Sequence, residues 1–151
     1  MSNIYQSVQN SLFAVCKTFI TDMANAYPAN PLITVYNFDA FSQQNSLPSG
    51  DLVGLHSYSI DIDSELATTN CKVCLSTDND RNLFRLNDLT GLLLKRLLPD
   101  TPVIVYDSET DSPLGQMKIL NGTSVSPILQ AVQRPLKMIA ISAALGLAVQ
   151  S

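Results

Sequence analysis

Histidine occurs once in this chain, at position 56, and cysteine three times, so a four-ligand zinc site cannot readily be assembled. No Gly-x-Ser-x-Gly elbow is present to expose a nucleophilic serine for that lone histidine. Neither Gly-x-x-x-x-Gly-Lys nor Gly-x-Gly-x-x-Gly occurs, which removes the usual phosphate-cradling loops. Charge is also sparse. Only 15% of the residues are Asp, Glu, Lys or Arg, against about 25% in an average soluble domain. Uncharged polar residues fill the difference, and a surface dressed in them is less costly to bury against a neighbour than one dressed in ionised groups. Nine bases against thirteen acids give a net charge of −4, which speaks against a protein that neutralises many phosphates. The N-terminus has no secretory pattern, and the apolar run from Met138 to Val149 is too short for a membrane-spanning helix, so a soluble chain made in the cytoplasm is expected. An odd cysteine count without a signal peptide reads as reduced thiols.

What is present reads as a single α+β domain over residues 1–151, long enough to bury a core without a disulfide or a metal. Ile4, Tyr5, Val8, Leu12, Val15, Cys16, Phe19 and Met23 recur at three- and four-residue spacing, predicting a first helix from Ile4 to Met23 capped by Ser2 or Asn3. Asn25 and Pro28 stop it before an extended segment, Leu32 to Phe38. The loop Asp39 to Asp51 is polar and long for a compact domain, which marks it as mobile or as a contact arm. Within it Phe41, Gln43, Gln44, Asn45 and Leu47 are the candidate interface residues, because an apolar side chain on a polar arm gives a partner something to bury.

Two alternating segments follow. The first places His56, Tyr58, Ile60 and Ile62 on one face and Ser57, Ser59, Asp61 and Asp63 on the other; the second opposes Cys71, Val73 and Leu75 to Lys72, Cys74 and Ser76. Cys71 and Cys74 have Cys-x-x-Cys spacing, but on a strand they face opposite ways, too far apart to share a metal or a disulfide. Thr77 to Asp80 supply capping residues for a second helix with Leu83, Leu86, Leu89, Leu93 and Leu97 on its apolar side, ended by Pro99. Asp78, Asp80 and Asn82 imitate a calcium loop, yet Leu83 and Leu89 stand where that loop requires Gly and Glu. Val103 to Tyr106 and Gln116 to Leu120 read as strands, the latter closed by a turn at Asn121-Gly122. Ser126 to Gln133 fits a short helix or a strand. Beyond Pro135, bulky residues at odd positions (Ile139, Ile141, Leu145, Leu147, Val149) alternate with small ones at even positions, predicting a long strand with one smooth face. The whole is a largely antiparallel sheet with two main helices packed on one face, and no catalytic, cofactor or metal residue is singled out.

The order of elements, the size and the strand leading into Asp-Asn-Asp and a helix, over Leu75 to Leu86, resemble the small ring-forming proteins of the tailed-phage neck, above all the tail terminator proteins. The resemblance runs from Ile4 to Val149 and is one of topology; the family has no short diagnostic motif and no catalytic residues. It implies a non-enzymatic virion subunit, a homo-oligomeric ring expected to be a hexamer, that caps the tail tube and joins it to the head. Its implied partners are further copies of itself, the tail tube protein and a head-completion or connector protein, with DNA passing through unbound and no membrane or cofactor involved. Another phage connector, such as a head-completion, tail-completion or minor tail protein, is the alternative; from a different class, so is a small enzyme or ligand-binding domain.

Overall fold

The computed structural model describes residues 3–38, 48–131 and 134–147. Helix α1 (Ile4–Met23) opens on Asn3, whose side chain accepts the Gln6 N–H at 3.0 Å. Its buried stripe, Val8, Leu12, Cys16 and Phe19, is the one the spacing predicts. Strand β1 (Leu32–Val35) is shorter than the expected segment. After Val35 the chain leaves the sheet and turns Phe38 into a small apolar cluster with Val35, Leu52, Cys74 and Leu136.

Strands β2 (Asp51–Ile62) and β3 (Leu66–Ser76) form a long hairpin, β1 lying parallel to β2 at its outer side. A single turn of 3-10 helix (Arg81–Leu83) leads into helix α2 (Phe84–Leu94). Strands β4 (Pro102–Tyr106), β5 (Pro113–Ile119), β6 (Ser124–Val125), β7 (Leu129–Ala131) and β8 (Arg134–Gly146) complete one sheet of order β1-β2-β3-β8-β5-β4, with β6 and β7 also pairing β8. Every pairing but β1 with β2 is antiparallel. Both helices pack on one face, over a core that includes Val53, Leu55, Val73, Ile139, Ile141, Met117 and Val105. The fold is therefore the expected α+β class, a largely antiparallel sheet with two helices on one face.

Three local expectations need correction. The run from His56 to Ile62 does not share one face, because the β2–β3 register slips between His56 and Ser59: Ser57 and Tyr58 together oppose Cys71. Ser57 takes the left-handed φ of 54° at this bulge, so His56 lies on the face away from the helices while Tyr58 and Ile60 pack against the core. Asn121-Gly122 bends the chain, with Gly122 at φ 103°, but makes no hairpin back onto β5; the following β6 pairs β8 instead. The second helix starts at Phe84 rather than directly after Asp80, since Asn82 and Leu83 adopt left-handed φ values of 61° and 56°. Asp80 still does the capping across that turn, its carboxylate accepting the Arg85 and Leu86 N–H groups at 3.1 and 2.7 Å. Where the sequence allowed helix or strand over Ser126 to Gln133, Leu129–Ala131 is strand; residues 132 and 133, like Val149, lie outside the described residues.

Candidate assembly surface

Phe41, Gln43, Gln44, Asn45 and Leu47 lie outside the described residues, but the residues that flank this segment are described. On its N-terminal side Phe38 is buried in the small cluster on the sheet face away from the helices. That cluster depends on Gly54: a methyl group there would sit 1.7 Å from the Val35 carbonyl oxygen, so only glycine lets β1 approach β2 this closely.

On the C-terminal side of the segment, Pro48 to Asp51 are held by a buried polar network. Arg134, at the start of β8, donates through Nη1 to the Pro48 carbonyl at 2.8 Å, through Nη2 to the Gly50 carbonyl, and through Nε to Ser76 Oγ at 2.8 Å. Ser76 Oγ in turn donates to the Pro135 carbonyl at 2.8 Å. The Gly50 N–H donates to Asp78 Oδ2 at 3.2 Å. One residue on, Asp51 is 1% exposed and takes a bidentate pair from Arg85, Nε to Oδ2 at 2.5 Å and Nη2 to Oδ1 at 3.0 Å, with the Asp78 N–H as a third donor. The hydrogen bond to Asp51 raises the Arg85 pKa, whereas burial lowers that of Arg134, against the opposing pull of Asp78 and Asp51. Together the two guanidiniums fix residues 48–51 to β3, α2 and β8 at once.

A different surface lies at the far edge of the sheet. Strand β4 borders a groove of about 420 Å³ against α1, lined by Ala14, Val15, Thr18, Val103, Ile104 and Tyr106 among others. Ile104 and Tyr106 are 50% and 45% exposed. The outer edge of β4 is guarded against strand addition. Thr101 turns its carbonyl to Ile119 of β5, so the outward backbone groups belong to residues 102, 104 and 106. Pro102 has no N–H, and the Tyr106 N–H donates to Ser11 Oγ at 3.1 Å, which leaves the edge at most one N–H, that of Ile104.

The other residues singled out in the sequence are accounted for locally. Asp63 is not a strand-face partner of Asp61; its Oδ1 accepts the Glu65 and Leu66 N–H groups and closes the β2–β3 turn, and these bonds lower its pKa. Cys71 lies in the main core and Cys74 in the small cluster, on opposite faces as read from the spacing. No group of three or more His, Cys, Asp or Glu side chains able to hold a metal is found among the described residues, and no described helix is long and apolar enough to cross a membrane. The small-residue side of β8, with Ala140, Ser142 and Ala144 half-buried, lies opposite the helix layer.

Charge is polarised along the strands. The β2–β3 and β4–β5 turns lie at the same end of the sheet, because β2, β8 and β4 all run toward it. Residues 61–65 and 107–112 hold six carboxylates and no base, more than the net charge of −4, so the rest of the chain is net positive.

No family model matches the chain, and no curated protein matches it. A solved structure of a protein known only by a sequence identifier is similar to it, with a TM-score of 0.57 and 10% identity over 94% of this chain and 98% of that one. At that identity the likeness extends to the fold alone.

Proposed function

We propose that this chain is a structural subunit of a tailed-phage virion, a tail terminator that closes into a homo-oligomeric ring, expected to be a hexamer, between the tail tube and the head. The observation that carries the reading is the pair of unlike surfaces on one chain. Phe38 and residues 48–51, which flank the segment 39–47, are held on one side of the sheet, and an apolar groove lies on the other, beside an edge that refuses strand pairing. Two unlike surfaces that meet between copies make a heterologous contact, which closes into a ring when the rotation allows it. The low charge density supports the same reading, since few ionised groups need be desolvated as such a contact forms. The acidic end of the sheet supports a conduit role: DNA phosphates passing a ring of these carboxylates meet repulsion rather than adhesion.

The partners in this reading are neighbouring copies, the tail tube protein and a head-completion or connector protein. Native mass measurement of the purified protein tests it. The expected species is about six times the 16.4 kDa chain, and it binds to the ends of isolated tail tubes. A monomer at every concentration that ignores tail tubes would overturn the reading and favour a small enzyme or ligand-binding domain.

A further inference from the structure

We infer that Asn121 is a site of spontaneous covalent modification, its side-chain amide closing on the Gly122 backbone nitrogen and then opening with water to aspartate and isoaspartate. The inference goes beyond the ring reading and does not depend on it.

The pair itself supplies the chemistry. The Gly122 backbone nitrogen attacks Asn121 Cγ, and the bond from Cγ to the side-chain nitrogen breaks. That nitrogen leaves as ammonia, carrying the proton given up by the backbone N–H, and a cyclic succinimide remains. Water then adds to one of the two ring carbonyls. Opening on one side restores the normal backbone with an aspartate side chain; opening on the other routes the backbone through the side chain as isoaspartate. One water is consumed, one ammonia is released, and nothing is oxidised or reduced. This route makes asparagine thermolabile. It is fastest before glycine, which has no Cβ to obstruct the nitrogen and the widest choice of backbone conformation.

The turn after β5 meets these requirements. Asn121-Gly122 is the one Asn-Gly pair in the chain. Both residues are exposed, Gly122 has a φ of 103°, and a methyl group on its Cα would meet nothing within 4 Å. Neither the Gly122 N–H nor the Asn121 side chain makes a hydrogen bond to a described residue. Other asparagines are held. Asn10 lies within α1, with its side chain engaged by Gln6 and Tyr36. The N–H after Asn25 donates to the Met23 carbonyl at 2.9 Å, and the one after Asn82 to the Asp80 carbonyl at 3.2 Å. Asn30 precedes Pro31, which has no N–H.

The product alters a fixed part of the sheet. Leu120 donates its N–H to the Ser142 carbonyl at 2.7 Å, and Ser124 pairs Ala140, so isoaspartate inserts its extra backbone carbon between two anchors on β8. Gly122 also lines an open pocket of about 160 Å³ whose one charged lining residue is Lys72. Either product places a new carboxylate beside that pocket and makes the net charge of −4 more negative by one unit.

The test incubates the native protein at mildly alkaline pH and body temperature beside a urea-unfolded sample, with trypsin digestion and peptide mass mapping against the starting material. The tryptic peptide that begins at Ile119 holds Asn121 as its only asparagine, so a mass gain there locates the change. Native and unfolded chains are expected to convert within a few-fold of each other, giving separable aspartate and isoaspartate forms, ahead of every other described asparagine. Asn121→Gln, which must close a larger ring, is expected to keep the fold and lose the change. The inference is overturned if the native protein retains the amide while the unfolded chain converts, if aspartate forms without isoaspartate, or if the Asn121→Gln peptide changes as quickly.

Discussion

Replacing Asp51 by alanine strips the largely buried Arg85 of its bidentate partner. In the native chain the Asp51 carboxylate takes three N–H donors, two from Arg85 and one from Asp78, and is itself 1% exposed. Breaking a buried pair from one side costs about 3–5 kcal/mol, because the remaining charge stays buried and uncompensated. Arg85 keeps the Asp78 carbonyl at 2.7 Å and a looser contact with Asp80 at 3.8 Å, which places the loss near the lower end, about 3 kcal/mol. At roughly 2.1 cal/mol/K of unfolding entropy per residue, a chain of this length loses about 9 °C in Tm. Thermal melts followed by circular dichroism would read this directly. The double variant Asp51→Leu with Arg85→Met removes both charges together and should recover most of the loss. A single variant that melts within about 2 °C of the parent, or a double variant as unstable as the two singles summed, would refute the account of a mutually dependent pair.

Gly54→Ala is expected to destabilise by about 3 kcal/mol, the upper end for overpacking, because the new methyl meets the Val35 carbonyl; urea titration should show a lower midpoint and detachment of β1. Alkaline stability should report on the buried thiols: burial pushes Cys16 and Cys71 from the ordinary 9.0 up to about 12, so the unfolded chain sheds those protons first. Their contribution is fully present below about pH 9 and is lost between about pH 9 and 12, at about 1.4 kcal/mol per pH unit for each thiol; a Cys16→Ala variant should show a shallower decline across that window in denaturant titrations.

The helices and strand faces were legible wherever one period dominated. Over Ile4 to Met23 the stripe, the Asn3 cap and the stop all point one way, and the helix has those bounds. The Cys71, Val73, Leu75 face and the odd-numbered face of β8 were equally plain, since a strand with one buried side must alternate. One failure comes from a single residue that breaks a period. Ser57 shifts the β2 alternation by one and sends His56 to the opposite face, and serine carries no sequence mark of a bulge. The parallel pairing of β1 leaves no local trace either, being set by a connection rather than by composition. The Arg134 and Asp51 network was missed because its members are scattered over residues 48 to 134 and each is ordinary alone. Two faint signals were available: an acid placed directly before the apolar run Leu52-Val53, and an arginine opening the most regularly alternating strand of the chain. The β4 groove was invisible, since Ile104 and Tyr106 are simply the outer half of a short apolar strand.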